Sequence, residues 1–182
     1  MQKAITSFFT VFILFTSAQA QEVGYNTTDI GAEYQNYSEG NIIKLHVAFN
    51  SKLHHSFHFS VGYNSMSNDE LPAGIKNYSG GIAAGLGYRY YFAYRPLGIF
   101  IGARFDFLTR KTEITTASPE KINASRIIPA AEIGYMFLIN DMFFITPSVS
   151  LGASVRTDSK YQSDFLDEGF VFLPGVSIGF KF

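Results

Sequence analysis

The sequence predicts an all-β protein: an eight-stranded antiparallel up-and-down barrel that crosses a membrane with its strands. Three observations predict it. Bulky and small side chains alternate with period two through eight segments, each about ten residues or longer, which suits a tilted membrane-spanning strand. The connections between those segments alternate between short and long, as in barrels with tight turns on one side of a membrane and loops on the other. The face opposite the bulky one is rich in Gly, Ala and Ser and poor in charge, which suits the cramped lumen of an eight-stranded barrel rather than a wetted surface.

Composition narrows the classes. The chain has 182 residues, 47% hydrophobic, 16% aromatic and 16% charged, with a formal net charge of −1. Disordered chains lack such aromatic content. A balanced charge gives no electrostatic reason to expect nucleic acid. There is no Cys, which excludes disulfide scaffolds, thiolate metal sites and a cysteine nucleophile.

Residues 1–20 read as a cleaved secretory signal, leaving 21–182 as the barrel domain. Lys3 gives a positive start. Phe8, Phe9, Val11, Phe12, Ile13, Leu14 and Phe15 form an apolar run broken by Thr10, and Ala18-Gln19-Ala20 fits a small-x-small cleavage site. The run is far short of the roughly 20 apolar residues of a spanning helix.

The strands follow in order. Residues 29–38 set Ile30, Ala32 and Tyr34 against Gly31, Glu33 and Gln35. Residues 41–50 set Ile43, Leu45, Val47 and Phe49 against Lys44, His46 and Ala48. Residues 54–65 set Phe57, Phe59, Val61 and Tyr63 against His58, Ser60, Gly62 and Asn64. The same alternation runs through 80–92, 97–110, 126–139, 142–156 and 170–182. Segments 51–53, 93–96 and 140–142 are the short connections; 66–79, 111–125 and 157–169 are the long ones, with Ser38-Glu39-Gly40 as a shorter fourth. Asn140-Asp141-Met142 makes a turn that lets Ile139 face Phe143. Pro129, Pro147 and Pro174 fall inside strands on the bulky phase; Pro147 in particular predicts a bulge or a lost ladder bond.

Alternation alone does not say which face is outside. A soluble lipocalin-like barrel would turn the apolar face inward. Aromatic residues near strand ends on the apolar phase (Tyr88, Tyr90, Phe92, Tyr135, Phe137, Phe143, Phe180, Phe182) resemble the girdles at two membrane interfaces and favour an apolar exterior.

Taken together, the signal segment, the eight alternating strands, the loop asymmetry and the ending Gly179-Phe180-Lys181-Phe182 resemble the small outer-membrane β-barrel family of Gram-negative bacteria, the OmpA- and OmpX-like group. The resemblance covers the whole of 21–182 and is one of pattern. It implies export to the periplasm, a place in the cell outer membrane among its lipids, and a monomer. It also implies that Ile178, Phe180 and Phe182 form a signal read by the barrel-assembly machinery.

The inward phase carries Glu33, Lys44, His46, His58, Arg89, Arg104, Asp106, Glu132 and Lys181. Arg104 and Glu132 fall at matched heights on consecutive strands and can pair, with Asp106 and Lys44 near that level. A charge-filled lumen is either a gated polar path or a salt-bridged plug; eight strands leave little room for a channel, which favours the plug. All four His lie in one hairpin. Two of them point inward and His54 and His55 fray at the rim, too few for a three- or four-ligand metal site. Ser60 shares a face with His46 and His58, and Glu33 lies on the hairpin's neighbouring strand, but such a triad would be shut inside the lumen and no nucleophile elbow is present. No catalytic, cofactor or metal residue is therefore assigned. The acidic residues of 157–169 do not have the spacing of an EF-hand loop. The expected role is structural or adhesive, with an extracellular ligand bound through the long loops. The alternatives are a small pore, a lipid-modifying enzyme or a soluble lipocalin-like binder.

Overall fold

The computed structural model describes residues 26–38, 40–51, 54–66, 75–93, 96–114, 120–157 and 169–182. Nine strand segments run in order: β1 (Thr27–Tyr37), β2 (Gly40–Asn50), β3 (His55–Met66), β4 (Ile75–Ser79), β5 (Gly81–Tyr91), β6 (Gly98–Ile114), β7 (Glu120–Ile139), β8 (Phe143–Arg156) and β9 (Gly169–Lys181). Each pairs antiparallel with its sequence neighbour, except that β5 takes the place beside β3, and β1 pairs with β9. The pairing of β6 with β7 completes a closed barrel. Segments β4 and β5 lie against successive stretches of β6 and make one stave, so the barrel has eight.

The register shows the stagger that closure demands. Paired residues lead from Phe100 through Gly134, Ser148, Gly175, Gln35, Ile42 and Asn64 to Gly81. Since Ala83 pairs with Leu108, that path returns to β6 at the level of Arg110 rather than at Phe100. The first and last strands are sewn by the reciprocal backbone bonds Thr28 N–H to Phe182 O and Phe182 N–H to Thr28 O, both 2.9 Å.

Three expectations are corrected. The segment 111–125 is mostly strand, because β6 and β7 stay paired from Gly98–Met136 out to Ile114–Glu120. Part of 66–79 is strand as well, since β4 pairs with the far end of β6. A short sheet thus extends past the barrel at the loop end. The third correction concerns the aromatics named from sequence, which belong to one rim rather than two; the loop end carries others, Tyr63, Phe107, Phe170 and Phe172, all exposed. Tyr88, Tyr90, Phe92, Tyr135, Phe137, Phe143 and Phe180 all lie near the tight turns, joined there by Phe49 and Phe57. Of the third long connection, 158–168 falls outside the described residues, as do the signal segment 1–20 and Glu39.

The tight turn is made as the sequence implies. Asn140 and Asp141 take φ of 52° and 57°, Met142 N–H bonds Ile139 O at 3.3 Å, and Ile139 pairs with Phe143. Positive φ at both positions is what hairpin twist asks for, and Asn and Asp tolerate it. The prolines interrupt bonding without a bulge. Pairing of β7 with β8 keeps one register throughout but lapses around Pro129 opposite Ala153 and around Pro147 opposite Tyr135. Pairing of β1 with β9 stops at Gln35–Gly175, beside Pro174.

The apolar phase is outside. Leu45, Phe57, Phe59, Val61, Ile82, Leu86, Phe105, Ile133 and Phe172 are all exposed, while the charged residues of the opposite phase are buried. This overturns the lipocalin-like alternative, which needs the reverse. A barrel sheathed in exposed Leu, Ile, Val and Phe is built for hydrocarbon rather than water.

Candidate functional site: the barrel lumen

Alternation on eight staves sends every second side chain into one narrow interior. The inward residues of β6 read Phe100, Gly102, Arg104, Asp106, Leu108, Arg110. That order (aromatic, charged, apolar, cationic) describes the lumen in layers from the turn end to the loop end.

At the turn end Tyr91, Phe100, Met136 and Phe144 pack together, with Leu138 against them. Toward the loop end a second apolar layer holds Tyr37, Ile42, Ala83, Leu108, Ile128, Ala130 and Leu173. Between them lies the charge layer.

Arg104, 1% exposed, is its centre. Its Nη1 donates to Glu33 Oε1 at 2.7 Å and to Glu132 Oε1 at 3.3 Å. Its Nε and Nη2 donate to the two oxygens of Asp106 at 2.8 and 3.1 Å. Lys44 Nζ donates to Asp106 Oδ1 at 2.6 Å and to Gln35 Oε1 at 3.1 Å, and lies 3.5 Å from Glu33 Oε2. Arg89 meets Glu132 through two bonds, Nε to Oε2 at 2.9 Å and Nη2 to Oε1 at 3.0 Å. Its guanidinium also lies 4.7 Å from the Phe100 ring centroid, over the aromatic layer. Lys44, Arg89 and Arg104 therefore balance Glu33, Asp106 and Glu132 charge for charge. Burying such ions is tolerable only when each is paired and hydrogen-bonded.

The bare positions that make room are glycines. Gly102 lies between Arg89 and Glu132, pairing with both. Gly85 pairs with Ser60 and Asp106, and a Cβ there would come within 2.6 Å of Asp106 Oδ1.

Of the residues assigned to the lumen from sequence, Glu33, Lys44, Arg89, Arg104, Asp106 and Glu132 converge in this layer. His46 and His58 are buried below it and take no part. Lys181 is not in it either: it sits at the turn-end rim, paired with Asp29 at 2.8 Å. His54 and His55 are at the same rim but do not fray. A hydrogen bond of 2.7 Å joins His54 Nδ1 to Tyr91 O, and one of 2.6 Å joins His55 Nδ1 to the Tyr88 hydroxyl. Gln35, Asp29 and Tyr91 were not singled out, although Gln35 and Asp29 share the phase of Glu33 and Tyr91 that of Arg89.

The chemistry available is limited. Ser60 is the cross-strand partner of His46, yet Ser60 Oγ and the Nδ1 atoms of His46 and His58 have no hydrogen-bond partner in the protein. The nucleophile-to-base bond of a triad is not made. Among the described residues no group of three or more His, Asp or Glu is placed to hold a metal ion.

No protein-family model matches the sequence, and no curated protein matches it. The fold does have solved relatives. The N-terminal β-barrel domain of Pseudomonas aeruginosa OprF is 15% identical, with 88% of this chain and 100% of that one aligned and a TM-score of 0.53. A major outer membrane protein from Thermus thermophilus is 12% identical over 86% and 99% of the two chains, TM-score 0.54. Ail, the attachment invasion locus protein of Yersinia pestis, is 12% identical over 88% and 100%, TM-score 0.50. The chain thus has the closed, eight-stave, all-antiparallel barrel fold found in these outer-membrane proteins.

Proposed function

We propose that the chain is an integral outer-membrane protein with a closed lumen, whose function is structural or adhesive and is exercised at the cell surface. The observation that carries this reading is the charge layer. Arg104 alone engages Glu33, Asp106 and Glu132, and the layer is capped on both sides by apolar side chains. An ion would have to displace paired charges and then cross two greasy constrictions.

Several features fit around that centre. The exposed Leu, Val, Ile and Phe residues face outer-membrane lipid. Residues 1–20 direct export to the periplasm, and the turn end stays on that side. Ile178, Phe180 and Phe182 serve the assembly machinery; Ile178 and Phe180 are exposed on the outer face, where a recognition signal is readable. The paired extension of β6 and β7 raises a platform for an extracellular ligand, and one solved relative with this fold is named for attachment and invasion. The barrel works as a monomer without a cofactor.

Refolding into detergent tests the frame: the folded barrel resists SDS and migrates differently before and after boiling. Planar-bilayer recording then tests the lumen. A closed barrel gives no unitary steps. Steps in the wild type that change with Arg104→Gln or Glu132→Gln would establish the pore reading instead. Adhesion is tested on intact cells: shortening 111–125 removes binding to matrix-coated surfaces if the platform carries it, and leaves it unchanged if it does not.

A further inference from the structure

The loop-end mouth of the barrel gathers three arginines that the charge layer does not use. On β6, Arg110 lies two residues beyond Leu108 of the loop-end apolar layer; on β7, Arg126 lies two beyond Ile128 of the same layer. Arg156 of β8 is the direct cross-strand partner of Arg126, and Arg110 pairs with Ala124, one inward step from Arg126. All three fall on the inward phase, and Arg110 is only 7% exposed. The apolar layer separates them from Arg104 and its carboxylates.

The arrangement is electrostatically one-sided. Like charges directly opposite on neighbouring strands repel, and Arg126 and Arg156 are held in that relation. Among the described residues, those that share the inward phase at this level, Tyr37, Asn64, Gly81, Ala124, Ser154 and Gly169, bring no carboxylate. Tyr37 supplies a floor. Its ring centroid is 5.1 Å from Arg126 Cζ, and its hydroxyl donates to Asn64 Oδ1 at 2.5 Å. An aromatic face favours a cation but offers no oxygen to its N–H groups.

A guanidinium has five N–H donors and no acceptor, so engagement with one neighbour leaves others to place. Each of the three arginines also interacts elsewhere in the protein. Even so, Arg110 Nε, Arg126 Nη2 and Arg156 Nε are shut away from solvent without a hydrogen bond. Three shielded donors on adjacent staves define the group that suits them. It is anionic, rich in acceptors, and carries several oxygens about one centre. A tetrahedral oxyanion has that form, and the rigid Arg fork matches it.

We propose that the loop-end mouth is an oxyanion site, where Arg110, Arg126 and Arg156 together take a phosphate or sulfate group above the Tyr37 ring. The group enters along the barrel axis, because the staves stand between the three side chains and the surrounding lipid. It arrives on an extracellular ligand. That carrier rests on the proposed surface role; the anion site does not.

The experiment is a titration of the full chain, refolded in micelles with isotopically labelled Arg and followed at the Arg Nε–H signals by NMR. Inorganic phosphate and inorganic sulfate are the probes, and sodium chloride at equal ionic strength is the control. Saturable shifts at Arg110, Arg126 and Arg156 are expected, with Arg89 and Arg104 unmoved behind the apolar layer. The probe that saturates at the lower concentration identifies the group. Arg126→Gln combined with Arg156→Gln is expected to raise the half-saturation concentration read at Arg110 by about tenfold or more, with the amide spectrum still that of a folded barrel. Shifts no different from those in chloride would overturn the site, as would an unchanged half-saturation in the folded double variant. Should the double variant fail to fold, Arg110→Gln, read at Arg126 and Arg156, decides by the same criterion. Beads bearing glucose 6-phosphate or glucose 6-sulfate test the carrier on intact cells. Binding that the double variant or Arg110→Gln loses is expected. No binding by wild-type cells, alongside saturable shifts in micelles, would overturn the extracellular carrier and leave the anion site standing.

Discussion

Arg89 on β5 and Glu132 on β7 join hands over an intervening strand, through two hydrogen bonds of 2.9 and 3.0 Å that pass above Gly102 of β6. The pair spans three staves because the middle one is bare there. A Cβ at Gly102 would fall 2.5 Å from Tyr88 O and 3.3 Å from Arg89 Cγ. Gly102→Val is therefore expected to overpack the site and destabilise the barrel by about 1–3 kcal/mol. Urea-dependent unfolding in lipid vesicles reads this directly. Wild-type stability would mean the ion pair does not need the bare backbone.

The two members of that pair predict an asymmetry. Removing one leaves the other charged and buried, so Glu132→Ala is expected to cost about 3–5 kcal/mol. Replacing both, as Arg89→Met with Glu132→Leu, leaves less charge stranded and is expected to cost less than the single change. The same unfolding assay, run on both variants, checks the ordering. A double variant weaker than Glu132→Ala would mean the pair contributes more than charge balance.

Exposure alone does not set the cost of a charge on the outer wall. Leu45 and Phe170 are 68% and 76% exposed, yet Leu45 lies mid-stave and Phe170 near the loop end. In a bilayer, Leu45→Lys is expected to cost about 2–4 kcal/mol and Phe170→Lys about 0–1 kcal/mol. Equal costs would place the apolar band at a different height on the barrel.

The seam between β7 and β8 is expected to be the most permeable to exchange. Its pairing lapses around Pro129 and around Pro147, whereas β8 and β9 pair without a gap from Phe143–Phe180 to Ser154–Gly169. Hydrogen exchange in a lipid nanodisc should be faster at Ala153 and Tyr135, which face Pro129 and Pro147 across the seam, than at Ser150 and Ser177, which bond between β8 and β9. Pro147→Val restores a ladder donor and is expected to add about 1 kcal/mol of stability. Uniform protection along β8 would show that other groups satisfy those carbonyls.

Much of this architecture was legible because a closed barrel imposes one rule on every stave. Period two fixes which side chains enter the lumen, and so Glu33, Lys44, Arg89, Arg104, Asp106 and Glu132 could be drawn together from strands far apart in sequence. What escaped was what period two does not encode. Phe100, Leu108 and Ile128 are bulky residues on the inward phase, and assigning bulk to the lipid face hid the two apolar layers. The paired extension of β6 and β7 escaped because its residues, 111–114 and 120–125, are polar enough to read as loop; their order comes from cross-strand bonding rather than from an apolar face. The aromatics near the turns were recognised as a girdle, but sequence gives no height, and register was needed to place them on one rim.

The seam between β1 and β9 has a consequence for how the barrel comes into being. Lys181 and Asp29, joined at that seam, are 152 positions apart in the chain. No partial product can close it, and every intermediate short of closure carries two raw strand edges able to pair with other chains. Such non-local pairing is also slow to find. Maturation is thus all or nothing in time as well as in space: the whole chain must be kept unaggregated until its two ends meet, and only then does either edge cease to be a hazard.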